Sequence, residues 1–335
     1  MKIPLTPVLS FQHAVPRHLV HRLSIAEVFV TDVLGLPEGS YLVAAQWPRW
    51  HVYYGSVAGT YDSALIAETL RQATILIAHT QLGVPLGKRF LLPHMEVTKI
   101  GAEEPPAGKP TDATIVVRVT DERSGRRGPT GFNVSAEFQV EDTVVATASA
   151  GAKIVDEATY TRLRGGSVVA PRATPPPGLS EAIVGCSPRN VALAESSTGR
   201  SWILRVDTTN PIYFDHPLDH VPGALLIEAA RQCIRIVTGE ARLDVRSFAA
   251  VFVKMVELEG LTTVSVASLN LHKDGTASVL VEIKNSDQEL LTRIEAVVAP
   301  RMSEGPHDAF SGSHSGESPE EASLRSRRPL EQARG

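Results

Sequence analysis

The chain is poor in several features that would announce a function. It has two cysteines in 335 residues, Cys186 and Cys233, and no Cys-x-x-Cys. That excludes a disulfide framework or a cysteine zinc site and points to a reducing compartment. No apolar run approaches the 18 residues needed to span a bilayer, and the first eleven residues carry Pro4 and Pro7 but no apolar signal core. The expectation is a cytoplasmic protein with no membrane partner. Basic charge is not in excess either: the formal net charge is −4. With no helix-turn-helix pattern, a nucleic-acid grip is not expected, and a phosphate-bearing ligand needs a local basic cluster.

What is present is a repeat. Residues 64–72 read Ala-Leu-Ile-Ala-Glu-Thr-Leu-Arg-Gln and residues 224–232 read Ala-Leu-Leu-Ile-Glu-Ala-Ala-Arg-Gln. Each copy sets Glu, Arg and Gln at i, i+3 and i+4, one face of a helix, with apolar or small residues elsewhere. Such a helix is buried, and its charges need partners. Glu68, Arg71 and Gln72 and their counterparts Glu228, Arg231 and Gln232 are therefore the leading candidate site residues.

The repeat extends along the chain. Residues 28–32 match 191–195, 41–47 match 202–208, 51–54 match 211–214, 90–101 match 248–260 and 134–137 match 279–282. Strands are expected at 113–120, 133–140, 143–153, 262–271, 276–283 and 289–298, from β-branched alternation between turn signals. Each half reads as strands, one long helix, then more strands. That is α+β, a curved antiparallel sheet wrapped around one buried helix, twice: a tandem or double hotdog. The boundaries expected are a first domain at 1–155, a linker at 156–183 containing Gly165-Gly166 and Pro175-Pro176-Pro177, a second domain at 184–302, and a disordered Ser/Glu/Arg/Pro tail at 303–335.

The lead-in to the second helix is Phe214-Asp215-His216-Pro217-Leu218-Asp219-His220-Val221-Pro222-Gly223. Pro-Gly lets the backbone approach closely at the helix start, where outward N–H groups suit an oxyanion or a phosphate. Gly223 and Glu228 resemble the β-hydroxyacyl-ACP dehydratase signature, in which Glu follows Gly by five residues. His216 sits in a loop about two residues shorter than that family's, and the first half has no loop histidine at the equivalent place.

A wider resemblance covers residues 14–300. It is carried by Val15-Pro-Arg-His-Leu-Val-His-Arg22, Ala26-Glu-Val-Phe-Val-Thr-Asp32, Ala45-Gln-Trp-Pro-Arg-Trp-His51, Glu68-Thr-Leu-Arg-Gln72, Val84-Pro-Leu-Gly87, residues 214–223 and Glu228-Ala-Ala-Arg-Gln232. These resemble the A-factor biosynthesis hotdog family, the synthases of γ-butyrolactone signalling molecules. The resemblance implies transfer of a β-ketoacyl group from an acyl carrier protein thioester to a hydroxyl of dihydroxyacetone phosphate, then ring closure to a phosphorylated butenolide. It implies no cofactor and no metal.

For that chemistry Glu68 and Glu228 are candidate bases, because burial alone raises a carboxylate's pKa. The alternative is a core ion pair with the arginine one turn on. Arg71 and Arg231 suit a phosphate or carboxylate fork. Glu228 and Arg231 have the fuller lead-in and are the expected catalytic centre, with Glu68 in support. His216 and His220 are candidates to polarise a carbonyl or protonate the leaving thiolate, or serve only as loop residues. Arg17, His18, His21 and Arg22 form a basic cluster suited to a phosphate or to a carrier protein's acidic surface. Two other classes stay open: a dehydratase or thioesterase with no phosphate acceptor, and a non-catalytic acyl-binding module. The chain is expected as a monomeric pseudo-dimer or a homodimer.

Overall fold

The structure, a computed structural model, describes residues 8–55, 60–101, 109–126, 128–165, 174–196, 199–240 and 243–299. The tail expected to be disordered lies outside them.

The first half runs β1 (Val30–Gly35), β2 (Ser40–Trp47), α1 (Ser63–Thr80), β3 (Arg89–Leu91), β4 (His94–Lys99), β5 (Thr111–Gly125), β6 (Gly128–Val140) and β7 (Thr143–Val155). Two short helices follow, α2 (Glu157–Leu163) and α3 (Glu181–Val184). The second half runs β8 (Leu193–Ala194), β9 (Ser201–Leu204), α4 (Gly223–Thr238), β10 (Asp244–Phe252), β11 (Thr262–Leu271), β12 (Ala277–Asn285) and β13 (Leu290–Ala299).

The strand order is β1-β2-β5-β6-β7-β4-β10-β13-β12-β11-β9-β8, all antiparallel, with β3 on β7. The second half repeats the first in reverse order, as a twofold requires, and β4 meets β10 at the seam. Glu96 lies opposite Ala249 there, and Val97 opposite Phe248. α1 packs on β1, β2, β4 and β7, α4 packs on β8 and β10–β13, and the two helices touch each other. This is the double hotdog, with its two sheets fused into one.

Both long helices are apolar nearly all round, and their caps differ. Asp62 caps α1, its side chain accepting from the Ala64 N–H at 2.9 Å. Pro222 stands at the same place on α4 and supplies no side-chain cap. Gly239 ends α4 in the left-handed region at φ 71°, which favours glycine.

Three sequence expectations shift. β5 runs on to Gly125 and β6 starts at Gly128, past the expected limits at 120 and 133, because the exposed hairpin end has no apolar alternation to reveal it. Ala45 pairs with Val30 as Leu204 pairs with Leu193, so β2 and β9 align two residues away from the sequence match, a slip that keeps the same face inward. Phe90 lies on β3 against Ile154, whereas Phe248 faces Ala296 in mid-strand, so these two phenylalanines are not equivalent.

The segment expected as a linker also holds structure. Asp156 caps α2 through the Thr159 N–H at 2.9 Å, and Tyr160 is buried. The Tyr160 hydroxyl donates to Asp219 at 2.7 Å, and Arg164 donates to Glu257 and to the Asp219 carbonyl at 2.7 and 2.8 Å. α2 therefore clamps the lead-in to α4, with too few residues to show a helical period in sequence.

Candidate functional site

The two Glu-x-x-Arg-Gln faces form two separate ionic clusters that share one plan. Gln72 accepts from the Phe29 N–H at 2.9 Å, and its amide donates to the Glu27 carbonyl and to Glu68, both at 2.7 Å. Gln232 accepts from the Ala192 N–H at 2.8 Å, and donates to the Asn190 carbonyl at 2.8 Å and to Glu228 at 2.9 Å. Each glutamine thus ties the segment ahead of its half's first strand to the helix and steadies the carboxylate one turn back. Both glutamine amides are buried and fully partnered, the kind of contact that fixes a unique arrangement.

In the first cluster Glu68 accepts from Arg71 Nε and Nη2, both at 2.9 Å, and from Arg22 Nη2 at 2.7 Å and Nε at 3.1 Å. Burial pushes its carboxyl upward, but Arg22 and Arg71, with the hydrogen bonds from Arg71 and Gln72, hold it down at about 2. The expectation of a raised pKa is thus reversed for Glu68. The sequence does not show that Arg22 folds back from the N-terminal loop as a second cation.

Residues from the other half complete this cluster. Asp215 accepts from the Leu23 and Ser24 N–H groups at 2.5 and 2.9 Å, pinning the Arg22 loop. Its neighbour His216 has Nδ1 3.6 Å from Asp215, beyond hydrogen-bond reach, and a side chain 37% exposed. Burial lowers the His216 pKa, Asp215 opposes it, and Arg71 and Arg22 lower it further, so the imidazole is held below its ordinary value. Deeper in, His21 Nε2 lies 2.9 Å from His79 Nε2, and His79 Nδ1 lies 2.8 Å from the Val84 carbonyl. The carbonyl requires a proton on His79 Nδ1, so His21 donates from Nε2 and keeps a lone pair at Nδ1. Burial, then His79, Arg71, His216 and Arg89, bring the His21 pKa down to about 4. Arg17 is exposed and donates to the Leu23 carbonyl of its own loop.

The second cluster is more enclosed, though its contacts are longer and the buried Arg231 and Arg235 Nε atoms have no partner among the described residues. Glu228 accepts from Tyr53 Oη at 3.0 Å, and lies 3.3 Å from both Arg231 Nη1 and Arg235 Nη1. Arg231 Nη2 also meets Asp62 at 3.2 Å. Glu228 is 1% exposed, and the Arg231 side chain 8% against 28% for Arg71. Each cluster is thus joined across the pseudo-twofold, Tyr53 and Asp62 reaching α4 while Asp215 and His216 reach the α1 site. Gly223 lies under the Phe252 ring, where an added Cβ would come within 3.1 Å of it. A ring, rather than a ligand, makes the close approach expected at the Pro-Gly pair.

Arg235, Tyr53 and Asp62 are additional to the sequence-derived set. Arg235 was within reach, being seven residues beyond Glu228 and so on the same face. Tyr53 and Asp62 carry no signal of a contact with the opposite half.

Comparison with known proteins agrees with this architecture. The model of the A-factor biosynthesis hotdog domain matches residues 5–156 and 185–290. A Streptomyces virginiae protein named 2-oxo-3-(phosphooxy)propyl 3-oxoalkanoate synthase is 37% identical over 225 residues, 67% of this chain and 76% of that one. A Streptomyces coelicolor protein of the same name is 32% identical over 291 residues, 80% of this chain and 90% of that one. Among solved structures, a putative oleoyl thioesterase from Lactobacillus plantarum overlays with a TM-score of 0.49 at 13% identity, covering 77% of this chain and 96% of that one. The chain belongs to the A-factor biosynthesis hotdog family.

Proposed function

We propose that the chain joins a 3-oxoacyl group, delivered as a thioester on an acyl carrier protein, to dihydroxyacetone phosphate, and that the α1 site does the chemistry. The free hydroxyl of the acceptor attacks the thioester carbonyl, the C–S bond breaks, and the ester 2-oxo-3-(phosphooxy)propyl 3-oxoalkanoate and a thiol leave. C2 of the 3-oxoacyl group then adds to the acceptor's ketone and water departs, closing a phosphorylated butenolide.

The observation that carries this reading is a part-exposed His216, brought from the other half to the α1 site where Arg71 is also part-exposed. His216 takes the hydroxyl proton and passes it to the departing thiolate, as a general base should when its pKa lies near or below working pH. Glu68, with its pKa lowered to about 2 and both oxygens engaged by Arg22, Arg71 and Gln72, is too weak a base for that proton. It anchors Arg71 and Arg22. Glu228 and Arg231, the expected centre, are enclosed by Tyr53, Asp62, Gln232 and Arg235, and we assign them to holding the halves together. The relatives' shared name supports the same product.

The test supplies a 3-oxoacyl N-acetylcysteamine thioester and dihydroxyacetone phosphate to purified protein and follows products by mass spectrometry. A phosphate-bearing ester or butenolide is expected, its rate lowered roughly 10²–10⁴-fold in His216→Gln. Free acid or a dehydrated acyl chain, formed equally well without acceptor, would move the chain to the thioesterase or dehydratase class. A loss confined to Glu228→Gln, with folding intact, would return the chemistry to α4.

A further inference from the structure

Among the differences between the two clusters, the one at the helix cap leaves Arg71 with one fewer anionic partner than Arg231. Glu68 and Glu228, Arg71 and Arg231, and Gln72 and Gln232 all stand 160 residues apart. The helix caps Asp62 and Pro222 stand at the same spacing. Asp62 caps α1 and reaches across to Arg231 on α4, at 3.2 Å. By the same twofold, position 222, the cap of α4, is the counterpart of Asp62 with respect to Arg71 on α1. A proline has no carboxylate to offer. Arg231 therefore has two anionic partners, Glu228 and Asp62. Arg71 has one, Glu68, with the Val20 carbonyl on Nη2. Among the described residues Nη1 of Arg71 donates to no protein group, and the side chain is 28% exposed.

We propose that the anion missing beside Pro222 comes from the substrate, and that Arg71, flanked by His21 and His216, is the subsite for the acceptor's phosphate. This deepens the reading above and rests on it. The neighbouring carboxylates are already engaged: Glu68 by Arg22, Arg71 and Gln72, Asp215 by the Leu23 and Ser24 N–H groups, and Glu157 by Arg89. None of them competes for Nη1. The Arg71 charge bears on both imidazoles, and that of Arg89 bears on His21. A phosphate there meets a planar fork whose Nε and Nη2 edge is already locked on Glu68, so little side-chain freedom is lost on binding. His216 then lies at the hydroxyl end of a three-carbon acceptor.

The test builds the missing carboxylate. Pro222→Asp should place an internal anion at Arg71, as Asp62 does at Arg231, and also give α4 the side-chain cap it lacks. Its thermal midpoint should hold or rise. Titration of the full chain with inorganic phosphate, followed by calorimetry in a phosphate-free buffer, should show binding in the wild type. The affinity should fall about tenfold or more in both Pro222→Asp and Arg71→Gln, the worth of a charge-assisted contact. In turnover, KM for dihydroxyacetone phosphate should rise by a similar factor, and the preference over unphosphorylated dihydroxyacetone should collapse. Phosphate affinity and KM within about twofold of wild type in both variants would overturn the proposal. So would an equal loss on dihydroxyacetone, which would give Arg71 a role in chemistry or folding. The calorimetry needs no turnover, so phosphate binding lost in the variants of a protein that makes no ester would sink the reaction and leave the subsite standing.

Discussion

Replacing Arg22 by methionine tests whether the α1 site is built as described. The Arg22 and Glu68 side chains are 8% and 5% exposed, so neither charge has much water to fall back on. Removing one partner of such a pair costs about 3–5 kcal/mol. Arg71 at 2.9 Å and Gln72 at 2.7 Å remain on Glu68, which favours the lower end. Linkage gives an independent figure. A carboxyl lowered from the ordinary 4.5 to about 2 contributes roughly 3 kcal/mol from all its partners together. Because the folded-state pKa is depressed, that stability is present above pH 4.5 and is lost as pH falls towards 2. The difference between wild type and Arg22→Met should therefore be about 2–3 kcal/mol at pH 7 and should shrink steadily below pH 4.5. Urea unfolding followed by fluorescence of the buried Trp47, at pH 7, 4 and 3, measures it. In a Glu68→Gln background Arg22→Met should cost under about 1 kcal/mol, because no buried carboxylate is then stranded. A difference below about 1 kcal/mol at pH 7, or one that ignores pH, would refute the reasoning.

Three further outcomes follow from the same geometry. Tyr53→Phe removes the hydroxyl on Glu228 and should destabilise the fold by about 1.5–3 kcal/mol in urea unfolding, since the lost bond is to a buried charge. Gly223→Val drives a side chain into the Phe252 ring and should cost about 1–3 kcal/mol, with much of the loss recovered in a Gly223→Val, Phe252→Ala double variant. The acid limb of kcat/KM should lie below the ordinary histidine value of 6.5, because burial and Arg71 lower His216, and His216→Gln should abolish that limb.

The fold was legible because both signals are local. The all-apolar helices with Glu-x-x-Arg-Gln and the β-branched alternation each report burial directly, and β11 coincides with its expected limits. The clusters were legible only within a helix. Glu68 and Arg71 share a face by spacing alone, but Arg22 reaches them from 46 residues away. Asp215 and His216 arrive from nearly two hundred residues away, in the other half. No periodicity encodes that. The pKa expectation reversed for the same reason: burial is written in the helix pattern, whereas the second arginine that outweighs it is written in tertiary structure. Similarly, Pro-Gly ahead of α4 signals a close approach without saying what approaches.

The second cation shows how a tandem chain differs from a symmetric pair. Each buried glutamate needs more than one guanidinium to offset its desolvation, and each half finds the second in a different place. In α1 it is Arg22, lent by the N-terminal loop, and position 75 is a buried isoleucine. In α4 it is Arg235 at the matching position on the helix itself, anchored to the Val184 carbonyl at 3.2 Å. A loop-borne cation can be displaced, whereas a helix-borne one is fixed by packing. Asp62 then adds a second carboxylate to the α4 cluster, and Pro222 denies one to the α1 cluster. Two identical subunits would have to carry both arrangements or neither. One chain with two halves can keep one cluster as a cross-half clasp and leave the other short of an anion. That division is why the sites follow one hydrogen-bond plan around Gln72 and Gln232 and still differ in exposure at Arg71 and Arg231.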